Sequence, residues 1–182
     1  GFTSIMIDAS SLPFEQNVEE VKKAVRYCHF YGIPVEAELG ALQGKEEDIV
    51  NEAEAHTDPT MVADFVNTTE CDLLAVAVGN VHGLELEPHV DLDLLKTIAD
   101  ISPVPLVLHG GSGIPFDVIQ KARKCGLLKI NYGSDLRKEF IRTFGEAYEN
   151  TNHKAHDVIS LSMAAVDNVA AKACELVKII NA

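Results

Sequence analysis

The sequence predicts an α/β protein in which parallel strands alternate with helices. Five apolar runs recur along the chain, and they are continuous rather than alternating, as is typical of parallel strands covered on both faces. Amphipathic helical patterns separate these runs, so the chain forms consecutive βα units joined by right-handed crossovers. The predicted strands are Phe2–Ile7, Ile33–Leu39, Leu73–Val78, Pro105–Leu108 and Leu127–Ile130.

Each predicted helix has its own signal. Asp58 and Pro59 supply an N-cap and a first-turn proline for the second helix. Gly126 ends the fourth helix. Apolar stripes at helical spacing define the others. The remaining patterns predict helices around Val18–Cys28, over Asp91–Ala99 and Pro115–Lys124, between Leu136 and Tyr148, and from Asp157 to Ile180.

Two architectures fit this alternation of strands and helices. One is a five-stranded doubly wound sheet, and the other is part of an eight-stranded (β/α)8 barrel. Periodicity alone does not separate them. The length of 182 residues fits a single domain over residues 1–182. Because the chain begins without Met and directly on a strand-like run, we expect a missing upstream segment.

Composition excludes several classes of protein. The net charge of −13 and a pI of about 4.8 argue against general nucleic-acid binding. No apolar stretch approaches the ~20 residues of a membrane span, and the N-terminus lacks a signal-peptide pattern. The four cysteines lie far apart, so we expect reduced thiols in a cytoplasmic protein. They are Cys28, Cys71, Cys125 and Cys174.

One long connection interrupts the regular units. The segment from Gly40 to Thr57 is acidic and punctuated by glycine, and we predict it to be a loop. Loops of this length in compact domains are often functional lids, although a solvated acidic connector is a near-equal alternative.

Carboxylates and histidines gather at the predicted strand ends, where parallel α/β proteins carry their chemistry. Asp8 ends the first strand, and Glu36 and Glu38 share one face of the second. His82 and His109 follow the third and fourth strands, each before a glycine. Two imidazoles with carboxylates suit zinc, and also cobalt or manganese.

These residues also have structural interpretations. Asp8 could cap the turn that follows it, and one carboxylate of the second strand could pair with a lysine. A lone histidine is more often a structural residue than a ligand. The joint placement of His82 and His109 at successive strand ends favours the metal-binding interpretation.

Two glycine-containing loops predict an anion site. Gly110, Gly111, Ser112 and Gly113 precede a helix, where backbone N–H groups and the helix N-terminus bind anions. The next loop, from Tyr132 to Asp135, repeats the pattern of small residues. A plain turn explains one such loop, but (β/α)8 barrels often hold a phosphate between their last two.

An ordered set of motifs carries a family resemblance. GFTSIMIDAS, PVEAELG, TDP, DLLAVAVGNVHG, PLVLHGGSG and KIN resemble, in that order, the zinc-dependent class II aldolases of fructose-1,6- and tagatose-1,6-bisphosphate. The resemblance runs from Gly1 to about Ser134. It implies a (β/α)8 TIM barrel of which this chain supplies the last five βα units plus the C-terminal helices. A five-stranded flavodoxin-like sheet is the second possibility.

The resemblance implies a role for particular residues. His82 and His109 match two zinc-binding histidines, and Asp8 and Glu38 match carboxylates of a second or alternate metal position. Glu46 matches a mobile-loop glutamate of proton transfer. A monovalent cation, Na⁺ or K⁺, is also implied. The positions that match the binding site of dihydroxyacetone phosphate are Gly83, Gly110, Gly111, Ser112, Asn131, Tyr132, Gly133 and Ser134.

The resemblance also implies an activity. We expect reversible cleavage of a ketose bisphosphate to dihydroxyacetone phosphate and an aldehyde, with zinc stabilising the enediolate, in a dimer or tetramer. The family's Asp-His pair lies upstream of Gly1, so this chain lacks part of the active site. NYGSD replaces the usual last phosphate loop and Glu85 replaces an aromatic residue, which leaves the phosphosugar open. The alternative is a non-catalytic phosphosugar-binding or assembly subunit.

Overall fold

The computed structural model describes residues 1–40, 43–46, 49–51, 56–82, 87–151 and 157–181, with the backbone alone for 43–46, 49–51 and 82. The chain divides into two compact units, Gly1–Asn131 and Tyr132–Ala182. The first unit contains β1 (Ile5–Ile7), α1 (Phe14–Phe30), β2 (Val35–Leu39), β3 (Gln43–Glu46), β4 (Ile49–Asn51), α2 (Pro59–Thr69), β5 (Leu73–Val76), β6 (Val81–His82), α3 (Leu92–Ile101), β7 (Leu106–Leu108), α4 (Phe116–Lys124) and β8 (Leu127–Ile130). The second unit contains α5 (Ser134–Asn150) and α6 (Val158–Ile180).

A five-stranded parallel sheet organises the first unit. Its order is β1-β2-β5-β7-β8, so neighbours in the sheet follow each other along the chain. A flavodoxin-like sheet would reverse its order after the first crossover, whereas successive crossovers in one direction build a (β/α)8 barrel. The predicted α/β class and the five predicted strands are therefore confirmed, and the flavodoxin-like alternative is wrong.

The two faces of β2 have different chemistry. All five residues of β2 are buried, and Val35, Ala37 and Leu39 alternate with Glu36 and Glu38. The apolar face of the sheet and the inner faces of the helices form the core of this unit. Fully buried helix residues in that core are Val21, Val62, Phe65, Leu95, Ile98 and Ala122.

Local signals explain where several helices begin. The Asp58 carboxylate accepts the Thr60 backbone N–H at 2.8 Å, and Pro59 occupies the first turn of α2, as predicted. Asp91 caps α3 in the same way by accepting two backbone N–H groups. The six predicted helices are all present, with ends shifted by a few residues.

The connection between Gly40 and Thr57 contains strands, so the prediction of a loop is wrong for its described part. β3 and β4 form an antiparallel pair, and β3 also pairs in parallel with β6. Gly44 lies opposite His82 in that pairing. Short polar strands such as QGKE carry no apolar alternation, and the sequence pattern therefore missed them.

The second unit is a pair of packed helices. Phe140 and Phe144 stack on α5, and Arg142 bridges Glu139 and Glu146 on the same helix. None of the helices in the described part of the chain has both the length and the apolar character that a membrane span requires. The expectation of one domain over residues 1–182 stays a prediction.

Core burial gives the first testable prediction. Phe65→Ala should lower the free energy of unfolding by about 3–5 kcal/mol, because the fully buried ring of Phe65 packs beside Phe14. Phe30→Ala is the matched control, since Phe30 is 81% exposed and its loss should change stability by no more than about 0.5 kcal/mol. Urea unfolding of both variants measures the difference. Equal losses would contradict the assignment of this core.

Candidate functional site

A buried cluster of ionisable side chains lies on the face of the sheet that carries Glu36 and Glu38. His109 follows β7 and is 6% exposed, while Glu36 and Glu38 of β2 are 2% and 1% exposed. The His109 Nε2 atom lies 2.7 Å from Glu36 Oε1, and its Nδ1 atom lies 3.4 Å from Glu38 Oε2. The prediction that Glu36 and Glu38 share one face of their strand agrees with these contacts, and the structure adds His109 to the same cluster.

Lys129 of β8 completes this cluster. Its Nζ atom donates to Glu36 Oε2 at 2.5 Å, so the two oxygens of Glu36 have different partners. The sequence gives little warning of this residue, because a lysine in a short apolar strand resembles an ordinary solvent-facing position. Its place within the KIN motif that carries the family resemblance was the available signal.

Opposing effects set the pKa values in the cluster. Burial is the largest single effect on the pKa of Glu36 and would raise it, but the hydrogen bonds from His109 and Lys129 and their charges together lower it. Burial would likewise lower the pKa of His109, yet its bond to Glu36 and the charges of Glu38 and Glu36 raise it. In the metal-free protein, both shifts favour the charged form of each partner.

A buried asparagine holds the backbone around His109. The fully buried Asn80 accepts the Val78 N–H at 2.8 Å and donates to the His109 carbonyl at 3.0 Å. It therefore joins the end of β5 to the end of β7. Sequence reasoning missed this role, although a polar residue directly after a buried apolar strand was a signal.

Gly110 allows the two histidine-bearing segments to meet. Its φ is +62°, and a Cβ atom at this position would lie 1.9 Å from the carbonyl oxygen of Val81. Val81 directly precedes His82 in β6. The backbones that carry His82 and His109 are thus in contact, while the side chain of His82 and the whole of Gly83 lie outside the described residues.

Thr57 makes a second buried connection between strand ends. Its hydroxyl donates to the Leu39 carbonyl at 2.5 Å and accepts the Ala77 N–H at 2.8 Å. The end of β2 is thereby joined to the residue that follows β5. Thr57 begins the TDP motif, whose aspartate was interpreted as a helix cap and whose threonine the sequence analysis did not single out.

Asp8 lies at the end of β1, which pairs with β2 through Ile7 and Ala37. Its carboxylate accepts the N–H and the hydroxyl of Ser10 at 2.9 and 2.7 Å, so Asp8 does cap the following turn. The same register brings Asp8 to the level of Glu38 on the adjacent strand. Its assignment to a metal position stays a proposal.

The loop after β7 is fastened to the end of β8. The Gly111 N–H donates to the Asn131 carbonyl at 3.0 Å, and the Asn131 N–H donates to the Leu108 carbonyl at 2.9 Å. A Cβ atom on Gly111 would lie 2.8 Å from the Ile130 side chain. The Gly111 amide is therefore engaged within the protein, and Ser112 beside it is buried.

The last predicted binding residues belong to the second unit. Gly133 directly precedes α5, which begins at Ser134, so the N–H groups of a helix start are located here. Burial, aided by the negative charge of Asp135, raises the pKa of Tyr132 to about 12. Tyr132 consequently keeps its phenol proton and can donate a hydrogen bond.

Glu46 ends β3, where it lies opposite Ile49 of β4. The backbone of this strand is paired with β6, so the segment that carries Glu46 is joined to the segment that carries His82. The side chain of Glu46 lies outside the described residues.

The donor chemistry fits a transition metal in part. An imidazole nitrogen and a carboxylate oxygen face each other at 3.4 Å, a pair of donor types that zinc accepts. Within residues whose side chains the structure describes, histidine, cysteine and carboxylate side chains form no cluster of three or more suited to a metal ion. His82, whose side chain lies outside the described residues, is a further candidate donor.

Comparisons with known proteins identify relatives of the whole chain. The family model "Fructose-bisphosphate aldolase class-II" matches residues 1–182. The fructose-bisphosphate aldolase of Geobacillus stearothermophilus is 44% identical over 147 residues, which cover 80% of this chain and 51% of that protein. The chain therefore spans about half the length of this curated relative.

Solved structures share the fold. The crystal structure of the YdjI aldolase from Escherichia coli K12 matches with a TM-score of 0.81 and 37% identity, covering 99% of this chain and 61% of that one. A protein assigned as a fructose-1,6-bisphosphate aldolase from Coccidioides immitis matches with a TM-score of 0.87 and 28% identity, over 100% and 63% of the two chains. These neighbours confirm the predicted TIM-barrel architecture, of which this chain forms a part.

Loss of Asn80 should be costly. Asn80→Ala removes the partners of two buried backbone groups, so we expect the free energy of unfolding to fall by about 2–4 kcal/mol. Asn168→Ala is the control, because exposed Asn168 makes one long bond to Ala164 and its loss should stay within about 0.5 kcal/mol. Chemical denaturation compares the two variants. A loss at Asn80 no larger than at Asn168 would refute this role.

Alanine substitutions at two glycines with similar φ angles distinguish backbone strain from steric overlap. Gly32→Ala, at φ +68° with open space around the new methyl group, should cost about 1–2 kcal/mol. Gly110→Ala, at φ +62°, should cost clearly more, because the methyl group would overlap the Val81 carbonyl. Thermal unfolding of both variants provides the measurement, and equal destabilisation would disprove the close approach at Gly110.

Proposed function

Because this chain belongs to the class II fructose-bisphosphate aldolase family, we propose that the protein is a metal-dependent aldolase. It reversibly cleaves a ketose bisphosphate, fructose-1,6- or tagatose-1,6-bisphosphate, to dihydroxyacetone phosphate and an aldehyde. The observation that carries the proposal is the buried contact between His109 and Glu38 at the strand ends. Both residues occupy positions that the family resemblance assigns to metal binding.

The proposed metal is zinc, with cobalt and manganese as chemically similar alternatives. His82 and His109 would hold it, and Asp8 and Glu38 would hold a second or alternate position. When bound, zinc supplies a Lewis acid that stabilises the negative charge of an enediolate.

Glu46 is the proposed group for proton exchange at carbon. A general base must come within hydrogen-bond reach of the proton that it moves, and a mobile segment can bring it there after substrate binds. The pairing of β3 with β6 supports this role, since it anchors the backbone of the Glu46 segment beside that of His82.

The glycine-containing loops are proposed to bind the phosphate group. Remote binding of a phosphate fixes the ketone relative to the groups that react, and this lowers the entropic cost of the reaction. Small side chains and helix starts support the assignment. A monovalent cation, Na⁺ or K⁺, is proposed near the same loops. The proposed substrate-binding residues are Gly83, Gly110, Gly111, Ser112, Asn131, Tyr132, Gly133 and Ser134.

We also infer a homo-oligomer, a dimer or a tetramer, in the cytoplasm. Exposed apolar side chains on α6 offer an interface, because monomers seldom leave such residues uncovered together. The four cysteines are free thiols, as expected for a reducing compartment. The exposed apolar residues of this helix are Val158, Ile159, Met163, Val166 and Val177.

Chelation and a histidine substitution test the proposed function. In the intact protein, EDTA should abolish cleavage of fructose-1,6- or tagatose-1,6-bisphosphate, and zinc should restore it. His109→Ala should reduce zinc affinity more than about 100-fold, beyond the 10–100-fold typical of an outer-shell partner. Coupled assays for dihydroxyacetone phosphate and zinc competition provide the measurements.

His29→Ala is the control, because His29 is partly exposed, bonds Asp72 and is not one of the proposed metal ligands. It should retain activity and zinc. Full activity in EDTA would overturn the proposed aldolase. Zinc binding and phosphosugar binding without turnover would instead favour the non-catalytic subunit.

A further inference from the structure

The family resemblance assigns no role to Glu36 or Lys129, yet these two residues form a chain of contacts with the buried His109. Glu36 Oε1 lies 2.7 Å from His109 Nε2, and Glu36 Oε2 lies 2.5 Å from Lys129 Nζ. The three residues come from β2, from the end of β7 and from β8, so three strands contribute to one chain of hydrogen bonds.

We propose that Glu36, held in place by Lys129, is a positioning residue that fixes the tautomer and orientation of His109 for metal binding. The inference rests on the proposed function in one respect, namely that His109 is a metal ligand. The contacts that support it are independent of that function.

The chemistry of imidazole supplies the first step. A carboxylate only accepts hydrogen bonds, so the short contact with Glu36 places the ring proton on Nε2. In a neutral ring, Nδ1 then carries the lone pair. Nδ1 is the atom that faces Glu38 Oε2 at 3.4 Å, on the side where a metal is proposed. Metal-binding histidines commonly donate their other N–H to a carboxylate in this way.

Lys129 supplies the second step. A buried carboxylate is costly unless it is paired and hydrogen-bonded. The Lys129 side chain is 46% exposed, so its ammonium group keeps contact with water while it neutralises Glu36. Because it binds the oxygen that His109 does not use, Lys129 also restricts rotation of the carboxylate.

A register shift between β7 and β8 places Lys129 on the same face of the sheet as Glu38. Leu106 pairs with Leu127 and Val107 pairs with Lys129, so Leu128 is an extra residue in the ladder. Across the sheet, Lys129, Val107, Ala75 and Glu38 consequently form one row. Paired residues on neighbouring strands point to the same face. A regular ladder would have placed Leu128 in this row, and β-bulges are known to redirect side chains in this manner.

Zinc affinity and histidine NMR test the inference in the intact protein. Glu36→Gln should weaken zinc binding by about 10–100-fold, the usual effect of losing an outer-shell partner. Lys129→Met should act in the same direction by a smaller factor, and Lys129→Arg should restore affinity. Lys121→Met is the control, because Lys121 forms an exposed pair with Asp117 on α4. Competition with a chelator gives each dissociation constant.

The direction of the Lys129 effect distinguishes positioning from direct ligation. If Glu36 itself bound the metal, removing the competing ammonium group in Lys129→Met would strengthen zinc binding and overturn the inference. Unchanged affinity in both Glu36→Gln and Lys129→Met would overturn it as well. If Glu36→Gln fails to fold, as judged by circular dichroism, the half-exposed Lys129 decides the question.

Long-range ¹H–¹⁵N correlation spectra of ¹⁵N-histidine protein supply a readout that does not depend on the metal. In alkaline, metal-free wild type, we expect the His109 proton on Nε2; a proton on Nδ1 would overturn the inference. Wild type that binds no zinc would refute the proposed function, and the tautomer would still decide the role of Glu36. If wild type binds zinc and turns over substrate, and the Glu36 and Lys129 variants bind zinc equally well, the positioning role is refuted while the proposed function stands.

Discussion

The burial of two carboxylates on one face of β2 is the constraint on which the site depends. Glu36 and Glu38 are 2% and 1% exposed, and an ionised carboxylate at such a position requires charged or hydrogen-bonding partners. No residue of β2 itself can provide them, because side chains of a strand alternate between faces. The partners come from β7 and β8, so these carboxylates can be buried in their ionised form at low cost only where β2, β7 and β8 pack into one sheet. Folding of the sheet and formation of the charge cluster are therefore linked.

Neutral hydrogen bonds solve a related problem at the strand ends. Strands that stop at the edge of a sheet leave backbone groups without ladder partners, and buried groups of this kind are costly. Asn80 and Thr57 each satisfy two such groups on different segments. Since these side chains span neighbouring strand ends, they also fix the spacing of the segments that carry the candidate ligands. Stability and geometry are thus served by the same residues.

Local signals were enough to predict most of the fold. Continuous apolar runs located the strands, and caps such as Asp58 located helix starts, because both depend on residues that are near in sequence. The β3–β4 pair was missed, since its pairing depends on β6 and on few apolar residues. In the site, the strand-end rule correctly singled out His109, Glu36 and Glu38 as neighbours. Periodicity could not choose between a barrel and a doubly wound sheet, and the observed strand order resolves this.

Lys129 shows why part of the site lay beyond sequence reasoning. Counting by twos from Leu127 puts Lys129 on the same face as Leu127, but the identity of that face depends on how β8 aligns with β7. The alignment shifts at Leu128, which is 70% exposed and interrupts the ladder. A single inserted residue thereby decides whether an ammonium group or a leucine joins the row of Glu38, Ala75 and Val107. Registers between strands are set by tertiary packing. The position of the ammonium group that neutralises the buried Glu36 carboxylate therefore depends on tertiary packing as well.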